Sequence, residues 1–325
     1  MTAFIAVLRN DLCRLMEEKA RIILMQVMIA GSIAIAILMN TKTASIGNIA
    51  LVLSGDGMNI SSPYLDIVVL DEVPPMSELV SNKFDAIVTI SDNRYEIQTI
   101  KSDSFKETLE SALINPSACH EESLIAKGTG SNILGYLVMF VLMQGVFLMY
   151  LFAEDKERKQ LIRISSSPIS FTAYLFAHSL FTFLMLYLPT LTILYVVSTI
   201  MGADLGMSFM QCSLLLALLC ALATSFSLFL NSLFKIGDSA NMSGSAIVVL
   251  TSILAGTFYS FEKDNQVLDT IIKVLPQKAY LTITQAVENG TLLKSALPHI
   301  TYITLLILTF FVFAVIKTRR EYIRS

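Results

Sequence analysis

The sequence predicts an all-α membrane domain of six transmembrane helices, with both termini inside and a small extracytoplasmic α/β domain inserted between spans one and two. Three observations predict it. Six long apolar stretches run through the 325 residues, and no charged side chain lies near the middle of any of them. Lys and Arg residues crowd into alternate connecting pieces. One connection, 40–132, is long enough to fold by itself. A hydrophobic fraction of 54 % and a mean hydropathy of +0.66 lie beyond a soluble domain of this length.

The apolar stretches are 22–39, 133–153, 174–200, 210–230, 240–259 and 300–316. Each approaches the ~20 helical residues that cross a ~30 Å hydrocarbon core. The last carries eleven Leu, Ile, Phe or Val residues between Ile303 and Ile316. Together they favour insertion by about 3–7 kcal/mol, and one central Asp or Lys would remove roughly half of that. The first stretch is longer than a signal-peptide core, and no A-x-A cleavage pattern follows it. It is therefore expected to stay as a span. No lipidation motif stands at either end.

Charge sets the orientation. Residues 1–21, 154–170, 232–239 and 317–325 hold 13 of the 23 Lys and Arg residues. The much longer pieces 40–132, 201–208 and 260–297 hold the other 10. The positive-inside rule then expects cytoplasmic termini and places 40–132 and 260–297 outside. The 40–132 loop is acidic, with 13 Asp and Glu against 6 Lys and Arg. A net charge of −3 argues against a nucleic-acid partner. Of the four cysteines only Cys119 falls in the outer region, which therefore cannot close a disulfide of its own. Asn59, Asn241 and Asn289 each begin an N-x-[ST] match, a pattern common by chance.

In chain order, 1–21 contains an amphipathic interfacial helix. Phe4, Val7, Leu8, Leu12, Leu15 and Met16 recur at helical spacing, with Arg9, Asp11, Glu17 and Glu18 between them. Within 40–132, short β-rich runs fall at 49–53, 65–70, 85–90 and 95–100. The last two are joined by the turn-rich Ser91-Asp92-Asn93-Arg94. Helices are expected at 76–83 and at 104–113, the second with Ser104 and Glu107 at capping-box spacing. Residues 133–325 hold spans two to six, with the charged segment 154–170 inside and a hairpin at 260–297 outside. The hairpin has apolar-periodic stretches at 267–275 and 280–287, each too short to span, separated by Pro276.

Catalytic chemistry is missing from the pattern. His120, His178 and His299 lie far apart in the sequence, and Cys119-His120-Glu121-Glu122 lacks metal-ligand spacing. No G-x-x-x-x-G-K-[ST] loop occurs, so the chain has no P-loop for ATP. Ionisable residues within the spans are few, which weakens an ion-coupled carrier. Small residues are better represented. Ser239 and Ser243, Ala240 and Gly244, and Ser252 and Gly256 have the small-xxx-small spacing of close helix contact, for packing or for a pore.

Two stretches are more specific. Glu154-Asp155-Lys156-Glu157-Arg158-Lys159-Gln160-Leu161-Ile162-Arg163 leads into Ser166-Ser167-Pro168-Ile169-Ser170 and Tyr174. Leu254-Ala255-Gly256-Thr257-Phe258-Tyr259 leads into Val274-Leu275-Pro276 and Ala279-Tyr280-Leu281. In content, order and topology they resemble the permease subunits of type 2 ABC exporters (ABC-2 permeases), in the bacterial subgroup with a large first outer loop. The resemblance implies an ATP-driven exporter in the bacterial plasma membrane, with membrane lipid among its partners. Two permease chains, identical or paralogous, would pair, and each would dock one of two ATPase subunits that carry ATP and Mg. The chain itself would hold no cofactor and would not be an enzyme. Segment 156–167 would contain the coupling helix. Its alternating charges would be solvated, and Arg158, Leu161, Ile162, Arg163 and Ile164 would touch the ATPase. The family often has Gly-Thr where this chain has Lys159-Gln160. Amphiphilic cargo is expected: antimicrobial peptides, lipopeptides or lipid-like drugs. The rival classes are a surface receptor built on the outer domain and a carrier driven by an ion gradient.

Overall fold

The computed structural model describes residues 2–42, 48–53, 66–70, 74–75, 84, 86–91, 94–99, 109–110, 129–165, 170–200, 206–257, 266–290 and 296–323. They fall into two compact units, Met1–Ile37 with Gly128–Ser325, and Leu38–Lys127.

The first unit is helical. It contains α1 (Thr2–Glu17), α2 (Lys19–Lys42), α3 (Thr129–Leu148), α4 (Tyr150–Glu157), α5 (Gln160–Ser165), α6 (Phe171–Ile200) and α7 (Phe209–Leu233). Then come α8 (Gly237–Leu254), α9 (Gln266–Val274), α10 (Pro276–Glu288) and α11 (Leu297–Ile323). Among the described residues four helices are long and apolar enough to cross a membrane: Gly130–Glu157, Phe171–Thr199, Phe209–Leu233 and Leu297–Glu321. A fifth candidate is the pair Phe4–Glu17 and Ile22–Ala36, bent by 85°. The expected span at 240–259 is α8, which starts earlier and is 18 residues long. Its first half holds Gly237, Asp238, Ser239, Asn241 and Ser243, too polar to match the other four. Gly256, in the left-handed region at φ 77°, follows its end.

α7 lies at the centre, packed against α3, α6 and α11. Its start is fixed by a reciprocal cap. Ser208 Oγ accepts from the Gln211 amide at 3.3 Å, and the Gln211 side chain accepts from the Ser208 amide at 2.9 Å. Gly145 lets α3 come close: a Cβ there would lie 2.8 Å from Ser227 Oγ and 3.0 Å from the Ala223 carbonyl. The core joins Ile29 and Ile33 of α2 to Leu134, Leu137 and Val141 of α3 and to Leu216 and Leu219 of α7. α9 and α10 are the two short helices expected on either side of Pro276, which occupies the first turn of α10.

α1 departs from its expected polarity. Asp11 is fully buried, whereas Ile5, Leu12 and Met16 are exposed. The face turned to the bundle runs through Phe4, Val7, Leu8, Asp11, Arg14 and Leu15 at helical spacing. Sequence polarity alone assigns Asp11 to solvent, because its partner stands 167 positions away.

The second unit contains a four-stranded sheet in the order β2-β1-β3-β4. The strands are β1 (Asn48–Leu53), β2 (Asp66–Leu70), β3 (Ala86–Ser91) and β4 (Arg94–Gln98), close to the four expected runs. β1 pairs parallel with β2 and β3, and β3 pairs antiparallel with β4 down to Ser91 opposite Arg94. Central β1 is buried on both faces: Ala50 and Val52 pack with Phe84 and Ile87, and Ile49 and Leu51 are covered on the other side. β2 is an edge, with Val68 and Val69 exposed. The expected helix at 76–83 lies outside the described residues. So does the one at 104–113 with its cap, except for helical residues 109–110.

Candidate functional site

α4 ends in Glu154, Asp155, Lys156 and Glu157, and Arg158 closes it. A solvated charged segment is expected here. The structure corrects that expectation for Lys156, which is 8 % exposed, and buries Asp155 just before it at 3 %, while Glu157, Arg158 and Lys159 are exposed. Alternating charge looks the same in sequence whether water or protein surrounds it, and here the partners are protein.

Asp155 faces α1 and α6. Its Oδ1 accepts from Arg14 Nη1 at 2.8 Å, and its Oδ2 accepts from the Tyr174 hydroxyl. His178 lies between two carboxylates, with Nδ1 2.8 Å from Asp11 Oδ2 and Nε2 3.4 Å from Asp155 Oδ2. The Tyr174 ring meets the His178 ring edge-on, with centroids 4.6 Å apart. Arg14 also pairs with Glu154, which in turn holds Arg158 at 2.5 Å one turn on. Arg14, Glu154, Asp155 and Tyr174 each have a charged or hydrogen-bonding partner, whereas both Asp11 carboxylate oxygens and His178 Nε2 are buried without a hydrogen bond and rest on the proximity of Asp11, His178 and Asp155 alone. Removal of one would strand the rest in low dielectric.

Lys156 points the other way, to α7 and α11. Its ammonium donates to the carbonyls of Asn231, Ser232 and Phe234 at 3.4, 3.2 and 2.8 Å, and pairs with Glu321 at 3.1 Å. A cation at the C-terminal carbonyls of α7 satisfies orphan acceptors and opposes the helix dipole. Glu157 does the converse at α8, where its Oε1 accepts from the Gly237 amide at 2.5 Å in the first turn. Only a glycine allows that approach, since a Cβ on residue 237 would lie 2.8 Å from Ala153 Cβ. Three successive residues thus bind the end of α4 to α1, α6, α7, α8 and α11.

The chain then reverses through Lys159, which has φ 56°. The left-handed region favours glycine. α5 follows. Leu161 is fully buried with Met149, Phe152, Tyr174, Leu175, Leu228 and Ala314, while Ile162 is 43 % exposed. The Arg158 side chain is 65 % exposed and Ile164 is half-buried. Of Arg163 only the helical backbone is described.

The profile of the ABC-2 family transporter protein matches residues 22–316. The chain belongs to that family. A comparison with curated proteins found no match.

In this ABC-2 transporter the residues that carry the resemblance are tie points. Tyr174 holds Asp155, and Ser170 caps α6 by accepting from the Ala173 amide at 3.3 Å. Tyr280 is fully buried and donates to the Leu215 carbonyl of α7 at 3.1 Å. The small residues of α8 divide between two faces. Ala240, Gly244 and Ser252 form a buried stripe with Gly237 and Val248. A Cβ on Gly244 would lie 2.9 Å from both Val146 and Leu230. Ser239 is exposed and Ser243 half-buried, and Gly256 lies in the turn beyond the helix.

A crevice of about 210 Å³ flanks the junction, with Glu18, Glu154, Glu157 and Asp238 on its walls. Among the described residues no group of His, Cys, Asp or Glu is placed to hold a metal ion. The sequence reading singled out Arg158, Leu161, Ile162, Arg163 and Ile164 for coupling and missed Asp11, Arg14, Asp155 and Lys156. One signal was available. Asp11 and Arg14 are three residues apart on an otherwise apolar face, and so sit one turn apart toward the bundle.

Proposed function

We propose that the chain is the permease subunit of an ATP-driven exporter, with the end of α4 and α5 as the place where a separate ATPase subunit pushes. The observation that carries this reading is the knot of charges at Asp155, Lys156 and Glu157. A force on α5 passes through the Arg158–Lys159 turn to the end of α4 and from there reaches five helices. Exposed Ile162 and Arg158 offer an apolar contact and a charge to the ATPase. Buried Leu161 anchors the helix from inside and is withdrawn from the expected contact set.

In the same reading the chain crosses the bacterial plasma membrane six times. The α1–α2 pair and α8 supply the spans beyond the four long helices. Both termini and 154–170 face the cytoplasm, where the exposed apolar stripe of α1 rests on the inner leaflet. The sheet unit and the α9–α10 hairpin face outward. Two permease chains pair, two ATPase subunits bind ATP and Mg, and the cargo is amphiphilic.

Co-purification tests the docking surface. Arg158→Glu with Ile162→Glu should leave the permease folded and release the ATPase. Retention of the ATPase at its normal ratio contradicts the assignment. A second reading, an ion-driven carrier, is favoured by the buried Asp11–His178–Asp155 chain. Transport by sealed vesicles that lack ATP but carry an ion gradient would establish it.

A further inference from the structure

One ion in the buried cluster is compensated differently from the others. Asp11 of α1 is fully buried, and neither of its carboxylate oxygens accepts a hydrogen bond. Among the described residues the basic group within ion-pair distance of it is the His178 imidazole, with Nδ1 2.8 Å from Oδ2. His178 is buried too, against the Phe152 and Tyr174 rings, with Asp155 Oδ2 3.4 Å from its other nitrogen. Asp155 does not depend on the imidazole, because it also holds Arg14 and the Tyr174 hydroxyl. Asp11 does depend on it.

A neutral imidazole gives a carboxylate little, and a buried carboxylate with neither cation nor donor is costly. Asp11 can stay buried in two forms: a carboxylate beside an imidazolium, or a carboxylic acid beside a neutral imidazole. Each holds one proton more than the carboxylate and neutral imidazole that water favours above about pH 7. No other charge can replace that proton. The helices packed on α6 are α1, α3, α7 and α11, and α3 and α7 contain no charged residue. Arg14 of α1 is taken by Asp155 and Glu154. On α11, Lys317 and Glu321 pair with each other and Glu321 with Lys156.

We infer that Asp11, His178 and Asp155 form a proton-binding site that fastens α1 to α6 and α4 while the proton is held and frees α1 when it is lost. The proton passes to a base in solvent, and the charge left on Asp11 is relieved by turning α1 out to water. The site lies wholly within this chain. It needs no ATPase and no net passage of a proton, so it stands or falls apart from both readings above.

Linkage fixes the size of the effect. Docked α1 holds one proton more than released α1, so release rises about tenfold per pH unit. Leu15 of α1 is buried against the bundle, and Cys13 is exposed. In nanodiscs, with Cys119→Ser and with Cys212 and Cys220 buried, a methanethiosulfonate reagent is reacted with Cys13 in one protein and with position 15 in a second that carries Leu15→Cys and Cys13→Ser. The rate at position 15 divided by the rate at Cys13 cancels the titration of the thiol itself. This ratio should rise about tenfold per unit between about pH 7 and about pH 9. Asp11→Asn removes the buried charge and should leave the ratio low at every pH. His178→Gln should leave it high at every pH, and Asp11→Asn added to it should bring it down again. A merely structural pair would loosen α1 in both single variants. Should His178→Gln fail to fold, the slope and its loss in Asp11→Asn decide. A ratio that does not change with pH overturns the proposal. So does a slope that survives Asp11→Asn, or a folded His178→Gln protein in which position 15 stays protected.

Discussion

Two short-helix junctions interrupt the long helices of this transporter, and they are held by opposite chemistry. At α4–α5, charged side chains reach charged partners and helix ends: Arg14 and Tyr174 to Asp155, Lys156 to the end of α7, Glu157 to the start of α8. At α9–α10, neutral hydroxyls reach backbone carbonyls, Tyr280 to Leu215 and Tyr302 to Val274. Glu288 adds a charge there, taking the amides of Gly130 and Ser131 at 3.1 Å at the start of α3. A neutral tie can be cut at the cost of one hydrogen bond. A buried charged tie cannot, because its partner is then left uncompensated. The first junction is thus the costlier to break, and the second tolerates local loss.

The largest effect should follow from Asp155→Asn, which deprives half-buried Arg14 and buried His178 of their shared carboxylate. A destabilisation of about 3–5 kcal/mol is expected in thermal or denaturant unfolding of the purified protein. A loss as small as that of a surface pair would show that water, not protein, compensates the cluster. Next comes Glu288→Gln, which keeps the hydrogen-bond acceptor but removes the charge from the N-terminus of α3, for about 1 kcal/mol. Tyr280→Phe should cost ~1 kcal/mol, since one hydroxyl and one carbonyl lose their bond while the ring stays packed. If it cost as much as Asp155→Asn, the contrast between the junctions would fail. Lys159→Gly has the opposite sign. It relieves a left-handed non-glycine residue and should stabilise by about 1 kcal/mol in the same unfolding measurement.

The long helices were legible because a bilayer-length apolar run has few other uses, and the α9–α10 break was legible because Pro276 fits the first turn of a helix. The four strands were legible from β-branched runs between turn residues. The charged junction was not. Asp155 and Lys156 can be read from sequence only as polar, and what decides their burial is the arrival of Arg14, Tyr174, His178, Asn231 and Glu321 from distant helices. For the same reason Leu161 and Ile162, adjacent and both apolar, were read as one face. A single residue step turns a helical side chain by ~100°, and here it separates core from surface. The start of α8 at Gly237 was hidden as well, since its opening turn is polar and is held by Glu157 rather than by apolar packing.

The claim that the α4–α5 junction transmits work is tested most directly with Lys156→Met in the complex with its ATPase. This change loosens the end of α4 from α7 and α11 and leaves exposed Ile162 and Arg158 untouched. The account predicts that the ATPase still co-purifies and hydrolyses ATP while export of cargo falls to background. Export at the wild-type rate by a folded Lys156→Met protein would contradict it.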